Sequence, residues 1–181
     1  NGSSGIAVGM TTNIPPHNLG EVIDATISYI NKPEIEIDKL IEVVQGPDFP
    51  TGGYVVSEEI AGLYKTGRGH LVVRGKTTIE KEKNKDSIII TEIPYQLNKS
   101  DLVTEIAKLV EEKKLPDVTD LRDESSKGKV RIVIELKKDA DSKFTLNRIY
   151  KDTRLQTKFD AVMIALVNNI PKVLNFHVFH L

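Results

Sequence analysis

The fold class is decided by two segments, HLVVRGKTTIE at 70–80 and SIIITEI at 87–93. Both are rich in β-branched residues and a charged, turn-like stretch separates them, which predicts a β-hairpin. A helix with an apolar stripe is predicted next at about 98–114, and two more strands near 118–122 and 130–136. This β-β-α-β-β order predicts a mixed or antiparallel sheet with helices packed on one face, and therefore an α+β fold.

The flanking segments are predicted to form short helices and strands. On the N-terminal side, Asn18 is placed to cap a helix that runs to about Asn31. The inward face of that helix is expected to carry Val22, Ile23, Thr26, Ile27 and Ile30. On the C-terminal side, a helix is predicted near 142–152, followed by strands at 155–167 and 172–174.

Length, composition and charge limit the possible functions. The 181 residues suffice for one domain, or one domain with a small lobe, and no apolar run reaches membrane-spanning length. The absence of cysteine excludes disulfides and thiolate metal sites. The net charge is −1, but acidic residues concentrate in 18–60 and basic residues in 62–99 and 142–172. Such segregation can create a basic face, although charge alone favours ordinary solvated surfaces.

The opening segment, residues 1–19, has a composition suited to phosphate contacts. NGSSGIAVGMTTNIPPHNL is rich in Gly, Ser and Thr and has no Asp, Glu, Lys or Arg. Glycine permits a close approach of the backbone, and hydroxyl and N–H groups suit phosphate oxygens. Ile6 is a bulky apolar residue between two small neighbours, so its side chain can enter another surface. The alternatives are a surface loop whose isoleucine folds back into the core, or a Gly-Ser-Ser-Gly linker.

Few residue patterns support catalysis. There is no cysteine nucleophile, no Gly-x-Ser-x-Gly elbow and no Walker A loop. His177 and His180 have the spacing of two ligands on one helical turn, but they have no acidic neighbour, so packing is the favoured interpretation. The acidic cluster at 117–124 is better explained by an exposed strand end than by a metal site.

A series of motifs resembles one protein family. After the opening segment come GPDFPT at 46–51, YKTGRG at 64–69, EIPYQLNK at 92–99 and LRDES at 121–125. In this order and spacing they resemble the A subunits of bacterial type IIA DNA topoisomerases, DNA gyrase and topoisomerase IV, over nearly the whole chain. The resemblance implies an internal part of a longer protein, and the abrupt start leads us to expect that the natural N-terminus is missing.

The resemblance also implies where the chemistry takes place. In this family a tyrosine that follows an arginine attacks a DNA phosphate, within a winged-helix domain. None of the tyrosines here directly follows an arginine, and Tyr150, two residues after Arg148, is expected to face the core. The nucleophilic tyrosine is therefore expected upstream, with no catalytic or metal-binding residue in this chain. Mg²⁺ and ATP are expected on the partner subunit, and the chain alone is expected to leave DNA uncut.

For the part of the protein seen here, the resemblance implies the tower domain, which binds the arms of the gate DNA. In the family an isoleucine after Gly-Ser-Ser-Gly inserts between base pairs and bends the duplex, and Ile6 matches its position. Such a wedge costs unstacking energy that the contacts of bent DNA offset. Contacts to the DNA backbone are expected from Asn1, Ser3, Ser4, Arg68, Arg74, Lys76 and Lys99. Each of the four cations is equally well explained as a solvated surface charge.

The resemblance implies three segments and several partners. Residues 1–52 are expected to form the wedge loop and a helical lead-in, 53–175 the tower α+β domain, and 176–181 the start of a connection to a coiled-coil arm. The expected partners are double-stranded DNA, a gyrase B-type subunit in an A2B2 assembly and a second full-length copy, with no membrane. The expected location is the bacterial cytoplasm at the nucleoid, or an organelle of bacterial origin.

These inferences predict the DNA-binding and DNA-bending part of an ATP-dependent type II DNA topoisomerase, gyrase-like, that passes a duplex through a transient double-strand break. Two alternatives come from other classes of protein. One is a stand-alone α+β nucleic-acid-binding module without catalysis. The other is an interaction scaffold whose acidic N-terminal half binds a basic partner. Salt-dependent DNA binding is expected of the first two and not of the scaffold.

Overall fold

The computed structural model describes residues 2–56, 58–81 and 85–177, and it has five helices and eleven strands in those ranges. The helices are α1 (Leu19–Asn31), α2 (Ile37–Val43), α3 (Ile60–Thr66), α4 (Lys99–Glu111) and α5 (Ser142–Asp152). The strands are β1 (Ser3–Ala7), β2 (Met10–Ile14), β3 (Tyr54–Val55), β4 (Arg68–Arg74), β5 (Lys76–Lys81), β6 (Asp86–Glu92), β7 (Val118–Asp123), β8 (Ile132–Leu136), β9 (Gln156–Val162), β10 (Ile164–Val167) and β11 (Ile170–Val173). This content confirms the α+β class. None of these helices is long and apolar enough to cross a membrane.

The chain divides into two compact units. The first unit comprises Asn1–Pro50, Val55–Val72 and Lys158–Leu181, and the second comprises Thr51–Tyr54 and Val73–Thr157. Each unit gathers stretches that are distant in sequence. The segments expected from the family resemblance, 1–52, 53–175 and 176–181, follow the chain instead, and they stay a prediction.

The second unit is built on an antiparallel four-stranded sheet of order β5-β6-β8-β7. Ile132, Ile134 and Leu136 of β8 are buried in one apolar cluster, and Val133, whose side chain is on the other face of the strand, is buried outside that cluster. The apolar stripe of α4 packs in the same cluster through Leu102, Ile106 and Leu109. The side chain of Asn98 caps α4 by accepting a hydrogen bond from the Ser100 amide at 2.8 Å. The predicted β-β-α-β-β pattern is therefore confirmed from β5 onward.

The first unit contains most of a five-stranded sheet of order β1-β2-β9-β4-β3. β10 and β11 form a separate two-stranded sheet. One face of β4 and β9 is buried through Leu71, Phe159 and Ala161. The helices α1, α2 and α3 bury Ala25, Leu40, Leu63 and Tyr64. This core supports the N-terminal hairpin described below.

The prediction of one strand over 70–80 is wrong, because the chain forms β4 and β5 in two different sheets. The break falls at Gly75, whose amide donates to the Leu155 carbonyl oxygen at 2.8 Å. A Cβ at Gly75 would lie 2.5 Å from Leu155 Cδ1 and 2.6 Å from the Glu92 carbonyl oxygen. Only glycine fits this close to Leu155 and Glu92, and the chain changes from one sheet to the other at this residue. The β-branched residues on both sides of Gly75 made the sequence resemble one continuous strand.

The start of α1 is confirmed, and its predicted packing face is right at Val22 and Thr26 and wrong at the three isoleucines. The Asn18 side chain accepts hydrogen bonds from the amides of Gly20 and Glu21 at 2.9 and 3.3 Å. The isoleucines at 23, 27 and 30, however, are exposed. The helix instead packs through the side that carries Val22, Ala25, Thr26 and Tyr29. Ala25 is fully buried, and its small side chain lets this side of the helix pack closely.

Candidate nucleic-acid interface

The opening segment forms a β-hairpin, so the prediction of a loop is wrong. β1 and β2 pair antiparallel from Ser3↔Ile14 to Ala7↔Met10. A two-residue turn, Val8-Gly9, joins them, and Gly9 has a φ of 80° that favours glycine. The sequence hid the hairpin because its strands are rich in Gly, Ser and Thr rather than alternating apolar residues. As a result Ile6 is held on a paired strand, opposite Thr11.

Ile6 is directed to solvent and not into the core. Its exposed fraction is 89%, and all five residues of β1 are exposed. Val8, at the turn, has an exposed fraction of 101%. The alternative that the isoleucine folds back into the core is therefore excluded. The hairpin presents apolar side chains on a strand without any charged residue.

The hairpin is fixed to the first unit through β2. Asn13 is opposite Val162 of β9, and its Nδ2 donates to the Asp160 carbonyl oxygen at 2.7 Å. The Thr12 Oγ1 lies 3.2 Å from the Val162 carbonyl oxygen and 3.0 Å from that of Ile164. These contacts tie β2 to two neighbouring strands. Ile6 therefore lies on a hairpin that is anchored to the first unit.

The base of the hairpin leads directly into a buried aromatic cluster. His17 is buried, and its Nε2 lies 2.8 Å from the Tyr64 hydroxyl oxygen. The rings of Tyr64 and Phe176 pack with centroids 4.5 Å apart. Gly2 has a φ of 71°, and a Cβ there would lie 3.1 to 3.2 Å from Pro16. The chain entering β1 is thus in close contact with the chain leaving β2.

Three residues near Ile6 are predicted to contact the DNA backbone: Asn1, Ser3 and Ser4. Ser3 and Ser4 are exposed on β1, while Asn1 lies outside the described residues. As the terminal strand of its sheet, β1 has backbone N–H groups that alternate between facing β2 and facing away from it. Hydroxyl and outward amide groups are therefore available beside Ile6. Their contact with phosphate stays a prediction.

The four predicted cations do not all belong to the same unit. Arg68 is exposed at the start of β4 in the first unit. The second unit holds Arg74, Lys76 and Lys99. The Arg74 guanidinium donates to Gln156 Oε1 at 2.9 Å and stacks 4.6 Å from the centre of the Tyr150 ring. Lys76 lies 3.6 Å from Glu92, and Lys99 lies 2.7 Å from Asp123. A phosphate contact by these three would compete with a protein partner.

The Lys99–Asp123 ion pair makes a testable prediction on pH. Hydrogen bonding to Lys99, and then to Ser125, lowers the pKa of Asp123 to about 2. The pair's contribution to stability is complete above the ordinary carboxyl pKa of about 3.9 and is lost as the pH falls through about 2. In Lys99→Met the pKa of Asp123 is expected to rise toward its ordinary value, measured by carboxyl NMR titration.

The matched control for this titration is Lys108→Met, which removes a cation 3.9 Å from Glu112. It is expected to leave the pKa of Asp123 unchanged. A pKa that stays near 2 in Lys99→Met would show that Lys99 is not the main cause, and Lys99 would then be available for other contacts.

Two of the tyrosines are held by the protein itself. Tyr64 is fully buried, and burial raises the pKa of its hydroxyl well above its ordinary value. The Tyr150 hydroxyl donates to the Gly75 carbonyl oxygen at 3.0 Å, and the side chain packs against the second unit's core. Arg148, near Tyr150 in sequence, instead pairs with Asp152 at 3.0 Å.

Within the described ranges, no group of three or more His, Asp or Glu residues could hold a metal ion. His180 lies outside those ranges.

Sequence reasoning gave no role to the hairpin formed by β10 and β11. The sequence predicts strands at 155–167 and 172–174, joined by the four residues Asn168-Asn169-Ile170-Pro171. The structure instead divides the first of these strands into β9 and β10, shortens the connection to the two-residue turn Asn168-Asn169, and places β10 in contact with β2. The neighbouring position of the two hairpins depends on tertiary contacts that no local pattern shows.

Comparison with known proteins agrees with the motif series. The family model for the A subunit of DNA gyrase and topoisomerase IV matches residues 1–179. The DNA gyrase A subunit of Rickettsia conorii is 56% identical over 177 residues, which cover 97% of this chain and 20% of that protein. The Clostridium acetobutylicum protein is 56% identical (97% and 21% covered), and the Chlamydia pneumoniae protein 51% identical (98% and 22% covered). The chain belongs to the family of DNA gyrase and topoisomerase IV A subunits. It spans about a fifth of the length of these relatives.

Proposed function

We propose that this chain is the DNA-binding and DNA-bending part of the breakage–reunion subunit of a gyrase-like type II DNA topoisomerase. The observation that carries the proposal is the exposure of Ile6 on an anchored hairpin without charged residues. Leaving an isoleucine exposed gives up about 1.5–3 kcal/mol of burial free energy in the free protein. Insertion between base pairs recovers that burial, and it bends the duplex because the step must unstack.

The chain's own residues have distinct roles in this proposal. Ile6 acts as the wedge. Ser3, Ser4, Asn1 and the outward amides of β1 hold the phosphates beside it. Arg68, Arg74, Lys76 and Lys99 contact the backbone farther along the DNA arms. In this proposal, the segment after residue 52 is the tower domain, and it binds those arms. Positioning and bending are thus done here, and bond cleavage elsewhere.

The chemistry of the complete enzyme is assigned to other segments and subunits. The nucleophilic tyrosine lies upstream in the full-length protein, and Mg²⁺ and ATP are bound by a gyrase B-type partner. The complete assembly is A2B2, it passes one duplex through a transient break in another, and it works at the bacterial nucleoid or in an organelle of bacterial origin. Consistent with this division, Tyr64 and Tyr150 are engaged by protein groups.

The test measures binding and bending together. A short duplex labelled at both ends is titrated with the chain across a salt series, and energy transfer reports the end-to-end distance. The unmodified chain is expected to bind with a negative salt slope and to shorten the distance. Ile6→Ala is expected to bind and to bend the duplex less, because the wedge is removed while the phosphate contacts remain.

The matched control is Ile27→Ala, which removes another exposed isoleucine from the same unit, on α1. It is expected to bind and bend as the unmodified chain does. Salt-dependent binding without any bending would favour the stand-alone nucleic-acid-binding module. Absence of salt-dependent binding, also with the full-length protein, would favour the scaffold and reject the proposal.

A further inference from the structure

A second hairpin stands beside the wedge hairpin in the first unit. Because Asn13 of β2 is opposite Val162 of β9 in an antiparallel pair, residue numbers rise along β9 as they fall along β2. The chain therefore enters β10 running toward the Val8-Gly9 turn. Thr12 Oγ1 accepts from the Ile164 amide at 3.3 Å and lies 3.0 Å from the Ile164 carbonyl oxygen. The β10 end of the second hairpin consequently lies in contact with β2.

The second turn presents two amide side chains. β10 and β11 pair from Ile164↔Val173 to Val167↔Ile170, so Asn168 and Asn169 form a two-residue turn. Their φ angles are 52° and 61°, a left-handed pair that matches the twist of a hairpin. Both residues are exposed. Asparagine tolerates this conformation better than most residues, and its amide can donate two hydrogen bonds.

The base of this hairpin is buried while its outer part is exposed. The Met163 amide donates to the Gly67 carbonyl oxygen, and the Leu174 amide to the Met163 carbonyl oxygen, both at 2.8 Å. Met163 and Leu174 are buried. Beyond them, Leu166 and Ile170 have exposed fractions of 67% and 58%. The hairpin is thus a supported projection, like the one that carries Ile6.

The charged residues of the β10–β11 hairpin indicate what kind of ligand it can bind. Lys172 is the only charged residue between Ala161 and Val173, and none occurs between Gly2 and Pro16. Neither hairpin therefore carries a carboxylate that would repel a polyanion. A cation, two amide donors and exposed apolar side chains suit the sugar-phosphate backbone of a duplex.

We propose that the β10–β11 hairpin is a second DNA contact, adjacent to the wedge and not among the residues assigned above. Asn168 and Asn169 donate hydrogen bonds to phosphate oxygens flanking the bent step, and Lys172 pairs with a phosphate. Ile170, on the same face of the hairpin as Lys172, packs against the deoxyribose groups between them. This contact rests on the proposed function, because the duplex bent by Ile6 is its ligand.

The test uses the full-length protein in complex with its B-type partner, and it measures DNA affinity across a salt series together with hydroxyl-radical protection. The Asn168→Gly/Asn169→Gly variant keeps the left-handed turn and removes both amides. It is expected to bind about tenfold more weakly and to lose protection beside the bent step. Lys172→Gln is expected to reduce the magnitude of the salt slope by about one.

Two further variants separate this inference from the function on which it rests. Lys39→Gln removes a cation paired with Glu42 on α2 and is expected to change neither readout. If the hairpin variants bind as the unmodified enzyme while Ile6→Ala bends DNA less, the second contact is rejected and the wedge stands. If the hairpin variants weaken binding while Ile6→Ala bends DNA normally, the hairpin contacts the duplex, but the wedge is rejected and so is the inference that the contact flanks a step bent by Ile6. Unchanged DNA affinity with weaker assembly of the complex would assign the hairpin to a protein contact and overturn the inference.

Discussion

Gly67→Ala is expected to destabilise the first unit by about 3 kcal/mol or more. Gly67 ends α3 with a φ of 75°, and its amide donates to the Leu63 carbonyl oxygen at 2.7 Å. A Cβ there would overlap the Leu174 carbonyl oxygen and lie 2.8 Å from Val173 Cγ1. The substitution therefore combines left-handed strain with a clash against backbone, which cannot move like a side chain. Urea unfolding followed by circular dichroism measures the loss.

Gly62→Ala is the matched control for this prediction. Gly62 lies inside α3, and a Cβ there would meet nothing within 4 Å. Because alanine is the better helix former, this variant is expected to be more stable by about 0.5–1 kcal/mol. The two alanine substitutions, both at the α3 segment, should thus have opposite signs. A Gly67→Ala protein as stable as its parent would contradict the close approach of α3 to the chain after β11.

The second large effect is expected from Ile134→Ala, with a loss of about 2–5 kcal/mol in unfolding free energy. Ile134 is fully buried on β8, the strand that pairs with both β6 and β7. Alanine would leave a cavity between the sheet and α4, whose apolar stripe lies in the same cluster. Ile134→Val removes one methylene only and should cost about 0.5–1.5 kcal/mol.

Ile6→Ala is the comparison for Ile134→Ala, because both variants replace an isoleucine on a strand by alanine. Because Ile6 is exposed, its loss is expected to change the unfolding free energy by less than about 0.5 kcal/mol. The two variants therefore separate stability from function: Ile134→Ala should lower the urea midpoint and Ile6→Ala should lower DNA bending alone. Equal losses of stability would show that Ile6 contributes to the core and would undermine its role as a wedge.

Patterns with a local cause predicted much of the fold. The caps at Asn18 and Asn98 require only a side-chain oxygen near free amides, and both helices begin where the sequence placed them. The shared cluster of Ile132, Ile134 and Leu136 on β8 follows from the two-residue period of a strand. The α+β class follows from the order of such elements. For the candidate site, Ile6 was identified by the family motif, and its exposure could only be learned from the structure.

Features that depend on distant residues were missed. At Gly75 the change of sheet is imposed by Leu155 and Glu92, which are far along the chain. The isoleucines of α1 show a helical period, yet Ala25 fixes a different packing face, so periodicity alone did not determine the buried side. Val8-Gly9 is a weaker turn signal than Asn-Gly, and the flanking strands lack apolar alternation. For those two reasons the sequence did not predict the β1–β2 hairpin.

The terminal position of β1 in its sheet has a consequence for solubility. A strand with one unpaired edge can recruit the same strand of another molecule, and long apolar edges lead to aggregation. β1 is only five residues long, and Ser3, Ser4 and Gly5 have low β-propensity. A single isoleucine on such a strand keeps the edge a poor template for self-association. The short, serine- and glycine-containing β1 strand thus limits self-association of the molecule through this edge.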